Sequence, residues 1–132
     1  MLEHTTISID LNQDWRELYE RIWQPEAFLR WASALCGANL KPDGAEWSGD
    51  GPEGPMRVRF TEYNHFGVLD HTIRQAGEPE TYLPMRVFQN GGGATIALTL
   101  FRAPGMTDSM FATDAEWIKR DLAALKQWLL EC

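Results

Sequence analysis

Apolar positions along the chain recur first every second residue, then at helical spacing, then every second residue again, and a last helical stretch follows. Ile7, Ile9 and Leu11 alternate with polar neighbours, which predicts a short strand over 5–11. Asn12 is the expected helix cap after it. Trp15, Leu18, Tyr19 and Ile22 then follow the i, i+3, i+4, i+7 rule for one buried helix face. Pro25 falls at a first-turn position of a second short helix, where its missing N–H costs little. Phe28, Leu29, Ala32 and Leu35 form the apolar stripe of that helix, and Gly37 closes it. Residues 38–55 are dense in Gly and Pro and predict one weak strand around 44–49, then a loop. Four alternating runs come next, over 56–63, 68–75, 81–89 and 94–102, separated by turn residues at 64–67, 77–79 and 90–93. That is an antiparallel meander. A long helix is predicted from Thr107 to Glu131, with Met110, Phe111, Ile118, Leu122, Leu125 and Leu129 on its buried side, widened by Trp117 and Trp128.

A meander cannot bury its apolar face alone, so the last helix is expected to lie across it. The whole chain, residues 1–132, reads as one α+β domain: two short helices after the first strand, a curved antiparallel sheet of about six strands, and the long helix. This pattern resembles the START-like superfamily, also called SRPBCC, whose helix-grip fold curls a sheet around a C-terminal helix. The matching stretches are Trp15–Trp31, Phe66–His71, Leu98–Arg102 and the final helix, and they are architectural rather than catalytic. The resemblance implies a pocket between sheet and helix for a small hydrophobic or amphipathic molecule. Relatives include lipid-binding domains, birch-pollen-allergen-like proteins, polyketide cyclase/dehydratase-like enzymes and chaperone activators. The fold usually has one strand more than this sequence offers, so the cavity is expected to be small or open at one side.

The turns give the pairing, and directly opposed residues share a face. Asn64 opposite Gly67 sets Glu62 against Leu69, Phe60 against His71 and Val58 against Ile73. A two-residue Gly91-Gly92 turn sets Val87 against Ile96, Met85 against Leu98 and Leu83 against Leu100. A five-residue loop over 76–80 sets Ile73 against Leu83 and His71 against Met85. The predicted concave face therefore has the rows Glu62-Leu69-Val87-Ile96, Phe60-His71-Met85-Leu98, Val58-Ile73-Leu83-Leu100 and Met56-Gln75-Thr81-Arg102. Pro84 interrupts a strand that should be interior, and a bulge there would reverse the side of Thr81–Leu83.

Three ionisable groups are expected to point inward: Glu62, His71 and Arg102. His71 and Glu62 are the candidate catalytic pair, an imidazole in an apolar row with a diagonal carboxylate roughly 7 Å away. The candidate ligand contacts are Phe60, Glu62, Leu69, His71, Met85, Leu98, Arg102 and Trp117, with Trp31 and Trp117 bordering the entrance. Arg102 suits a ligand carboxylate or, alternatively, closes the sheet rim. Asp70 is expected on the outer face in an ion pair with Arg86, so that it does not act with His71. Arg57, Arg59, Arg74 and Arg86 form a basic stripe on the same outer face, beside Tyr63, Val68 and Phe88; Tyr82 faces Phe101.

Composition narrows the classes. With 44% apolar and 11% aromatic residues the chain is not disordered, and no uncharged apolar run is long enough to span a membrane. A net charge of −7 argues against a nucleic-acid backbone as partner. Self-association into a homodimer through the outer face is left open. Cys36 and Cys132 form no metal pattern, so neither a metal site nor a cofactor is expected, and reduced, inert thiols in a cytoplasmic protein are the expectation. Three functions fit: a binder of a small hydrophobic or amphipathic molecule, a cyclase/dehydratase-type enzyme using His71 in acid–base catalysis, or a chaperone-modulating interaction module. The sequence leaves open whether the protein is an enzyme.

Overall fold

The computed structural model describes residues 1–51 and 53–131. Pro52 of the Gly/Pro-rich segment and the Cys132 thiol therefore lie outside the described residues. The chain begins with β1 (His4–Leu11), followed by α1 (Trp15–Ile22), α2 (Pro25–Trp31) and α3 (Ser33–Cys36). The meander comprises β2 (Lys41–Asp43), β3 (Glu46–Gly51), β4 (Gly54–Phe60), β5 (His71–Gln75), β6 (Thr81–Leu83), β7 (Met85–Asn90) and β8 (Gly93–Phe101). Helix α4 (Asp108–Glu131) ends it.

Local chemistry explains the boundaries. Asp14, not Asn12, caps α1: its carboxylate accepts from the N–H groups of Arg16 and Glu17. An aspartate adds a full charge to the cap at the positive end of the helix. Pro25 opens α2 as expected, but the second helix breaks at Ala32, whose extended ψ of 102° separates α2 from the single turn of α3. The Gly/Pro-rich stretch holds a hairpin, β2–β3, in place of one weak strand.

All strand pairs are antiparallel, in the orders β1-β8-β7 and β2-β3-β4-β5-β6. Pro84, which has no N–H to donate, separates β6 from β7. The two sheets remain joined across it: Thr99 N–H donates to Pro84 O at 2.9 Å, Leu69 N–H to Met85 O at 2.8 Å and Val87 N–H to Gly67 O at 3.0 Å. The result is one curved sheet with an interrupted strand.

The pairings Phe60↔His71, Val58↔Ile73, Met85↔Leu98 and Val87↔Ile96 are those expected. Between β5 and β6 the register differs by two residues: His71 opposes Leu83 and Ile73 opposes Thr81. The cause is the turn. Glu78 N–H closes on Gln75 O at 3.0 Å with Gly77 at φ +81°, so the connection is tighter than a five-residue loop. An even shift preserves the faces, and no bulge reverses β6: Leu83, Met85 and Val87 are all buried.

Helix α4 packs on β1 and α2, while α1 covers β7 and β8. Between them a continuous apolar core joins Leu18, Ile22, Phe28 and Leu35 of the short helices to Met56, Val58, Met85, Ile96 and Leu98 of the sheet and Leu122, Leu125 and Leu129 of α4. Gly67 permits the closest approach in the connection from β4 to β5. It sits at φ +70°, and a Cβ there would stand 2.1 Å from Val87 O.

Candidate functional site

His71 lies in the middle of the concave face and is 4% exposed. Its ring meets Phe28 edge-on at 4.9 Å and stacks over Phe60 at 6.3 Å between centroids. Nδ1–H donates to Leu69 O at 3.1 Å, which fixes the tautomer. Burial pushes the imidazole pKa down; the Leu69 carbonyl and the Asp70 carboxylate oppose this more weakly. The imidazole is therefore neutral at pH 7, held among aromatic rings.

The reason for that geometry is the break at Pro84. In an antiparallel ladder the opposed pair Leu69 and Met85 would exchange two backbone bonds. Only Leu69 N–H to Met85 O forms. The Met85 N–H is taken instead by Asp70 Oδ1 at 2.8 Å, and the Leu69 carbonyl by His71 Nδ1–H. Adjacent side chains on opposite faces thus satisfy the two ends of one missing ladder bond. Asp70 also accepts from the Tyr82 hydroxyl at 2.9 Å. It does not form the expected ion pair with Arg86, because the tighter turn puts Asp70 across from Pro84 and Arg86 across from Val68.

Glu62 departs furthest from expectation. It is exposed, in the connection after β4 rather than in a paired strand, and the expected dyad with His71 does not form. Asn64 organises that connection. Its amide donates to Glu62 O and Val68 O, and its Oδ1 accepts from the N–H groups of Phe66 and Val68, which turns Glu62 to solvent. Arg102 does not line a pocket wall either. Its guanidinium pairs with Asp108 and Glu3 and donates to Met106 O at 3.0 Å, tying the end of β8 to the chain start and to the approach to α4. This is the rim-closing alternative.

Leu69, Met85 and Leu98 are 3%, 1% and 1% exposed, inside the core. Phe60 packs between Phe28 and Trp47, with ring centroids at 4.9 Å and 6.3 Å. Side chains from α2 fill the space expected for a guest around His71: Phe28 occupies it, and Trp31, 4% exposed, lies beside Phe28 rather than at an entrance. Trp117, 50% exposed, does border an open cavity.

That cavity is a groove of about 410 Å³ where the grip opens between β6, β8, α3 and α4. Leu83, Leu100 and Ile118 form its apolar part, with Trp117, Thr81, Ser33 and Ala34 around it. Two carboxylates line it as well, Asp114 and Asp121. Burial raises the pKa of both; the Ser33 hydroxyl and N–H, which donate to Asp121 Oδ2 at 3.1 and 3.2 Å, partly offset this for Asp121. The sequence does carry a signal for this pair. Asp114, Trp117, Ile118 and Asp121 follow i, i+3, i+4, i+7 spacing, so the aspartates share a face with Ile118. Apolar residues alone predict the helix face and pass over the charges within it.

On the outer face Arg57 pairs with Glu46 and Asp43, Arg74 with Glu46, and Arg59 with Glu80, so acidic neighbours offset the basic stripe. Tyr63, Tyr82 and Phe88 are about half exposed, and the Tyr82 ring stacks on Phe101 at 6.4 Å. Cys36 is exposed; its thiol contacts Ala32 O, and burial together with Asp121 raises its pKa. No helix among the described residues is long and apolar enough to cross a membrane.

No family model matches the chain, and none of the curated proteins is detectably similar to it in sequence. Solved structures are similar in fold. XoxI from Bacillus cereus is 17% identical with a TM-score of 0.73, over 96% of this chain and 95% of its own. CalU16 from Micromonospora echinospora is 14% identical with a TM-score of 0.67, over 96% of this chain and 73% of its own. Ara h 8.0201 is 11% identical with a TM-score of 0.67, over the full length of both chains. The curved antiparallel sheet, the short helices after its first strand and the long terminal helix thus make the helix-grip arrangement that these solved structures share.

Proposed function

We propose that the protein binds a small amphipathic molecule in the groove between β6, β8 and α4. The observation that carries this reading is the groove itself: an open concavity of about 410 Å³ with an apolar part made by Leu83, Leu100 and Ile118. Concave apolar sites with a few convergent polar groups are where small molecules bind. Covering about 150 Å² of apolar ligand surface there is worth roughly 4 kcal/mol before the cost of association. His71 gives acid–base catalysis no comparable support, because its neighbours are aromatic rings and a backbone carbonyl that its proton already serves.

The test is titration with the neutral fluorophore N-phenyl-1-naphthylamine, whose emission rises when it leaves water. The wild-type protein is expected to bind it saturably. Ala34→Trp, at an exposed position on the groove rim, is expected to weaken binding at least tenfold with an unchanged melting temperature. Full binding by the variant, or none by the wild type, overturns the reading.

A further inference from the structure

Helix α4 turns a two-carboxylate stripe into the groove. Asp114 and Asp121 are two turns apart, about 10 Å along the axis, with Trp117 and Ile118 between them. Asp121 is only 9% exposed. Its Oδ2 takes both Ser33 bonds, and its Oδ1 has no hydrogen-bond partner among the described residues. Asp114 has neither a hydrogen bond nor an ion pair among them, although burial raises its pKa. A carboxylate can only accept hydrogen bonds, so Asp121 Oδ1 and the Asp114 carboxylate each have room for a donor that enters the groove.

The rest of the lining does not neutralise them. Ser33, Ala34, Thr81, Leu83, Leu100, Trp117 and Ile118 carry no charge. The Cys36 thiol, close enough for Asp121 to raise its pKa, brings no positive charge, and the Arg120 guanidinium lies 5.4 Å over the Trp117 ring without pairing to either aspartate. The whole chain carries −7, which draws cations and repels anions.

We propose that the ligand is an amphipathic ammonium compound, its hydrocarbon part on Leu83, Leu100 and Ile118 and its N–H donors on Asp121 Oδ1 or Asp114. This rests on the groove reading above and adds the head group. The ammonium supplies N–H donors to the free carboxylate oxygens and the positive charge that the groove lining lacks, and a low-dielectric surround strengthens the pair relative to water.

Calorimetric titration of the full chain at pH 7 with octylammonium, 1-octanol and octanoate separates the two claims. Octylammonium is expected to bind at least tenfold more tightly than octanol, with octanoate weakest. Asp114→Asn replaces a carboxylate that bonds nothing among the described residues, so the fold should survive; it is expected to reduce the ammonium advantage and leave octanol affinity unchanged. Asp121→Asn is expected to do the same more strongly. Ala34→Trp should weaken both ligands. Lowering the pH into the range where these carboxylates protonate, which burial moves above the usual one, should erase the advantage. If all three head groups bind alike, the ammonium assignment fails and the groove reading stands. If none binds, both fail. Ammonium binding that persists in Ala34→Trp also overturns the assignment, since the cation then sits elsewhere.

Discussion

His71 shows how burial gives one side chain a pH signature. Its folded pKa is depressed below the ordinary histidine value, chiefly by burial. The unfolded chain therefore binds more protons as pH falls, and the stability that depends on the neutral ring is present above about pH 6.5 and lost below it. Asp114 and Asp121 have the opposite sign: their raised folded pKa values make the native state bind more protons, which adds stability as they protonate at lower pH. Urea denaturation from pH 7.5 to 5.0 should show wild-type stability falling by up to about 1.4 kcal/mol per pH unit from this one site. His71→Gln should be less stable at pH 7.5 and flatter across the range, so that the two proteins converge. Parallel curves would mean that the imidazole is not the titrating group.

The interrupted strand is the element where local sequence and structure part company. Proline at 84 announces the break, and strand alternation correctly sends Asp70 outward and His71 inward. The partners could not be read, because they depend on whether the turn after Gln75 uses three or five residues. The tight turn shifts the pairing by two, which keeps every residue on its face and changes every neighbour. Asp70 thereby loses Arg86 and gains Met85 N–H. Asp70→Ala should leave that partly buried donor unsatisfied and cost about 1–3 kcal/mol in chemical denaturation. Arg86→Ala, which removes an exposed side chain, should cost under about 0.5 kcal/mol. Equal losses would restore the ion-pair reading. Glu62 was illegible for a related reason: four hydrogen bonds from the Asn64 side chain convert an apparent hairpin into a folded connection, and alternation has no counterpart for that.

At the scale of the whole molecule, strand–helix order and face parity were enough to read the architecture, because both are local periodicities summed along the chain. The position of empty space is not local. The concave sheet face presents Phe60, Leu69, His71, Met85 and Leu98 as the sequence implies, but whether they surround a guest depends on how deeply Phe28 and Trp31 of α2 enter. Here the helices close the centre and leave the opening beside α4, with Trp117 at its edge. This arrangement predicts a double dissociation. Met85→Ala removes a side chain that is 1% exposed and should cost about 2–5 kcal/mol of stability, read as a lowered urea midpoint, while ligand affinity under folding conditions stays within twofold. Ala34→Trp should do the reverse, sparing stability and removing affinity. Were the binding site at the centre of the sheet, Met85→Ala would change affinity strongly, enlarging the space where the guest sits, and Ala34→Trp would leave it unchanged; measuring both quantities on both variants tells the two geometries apart.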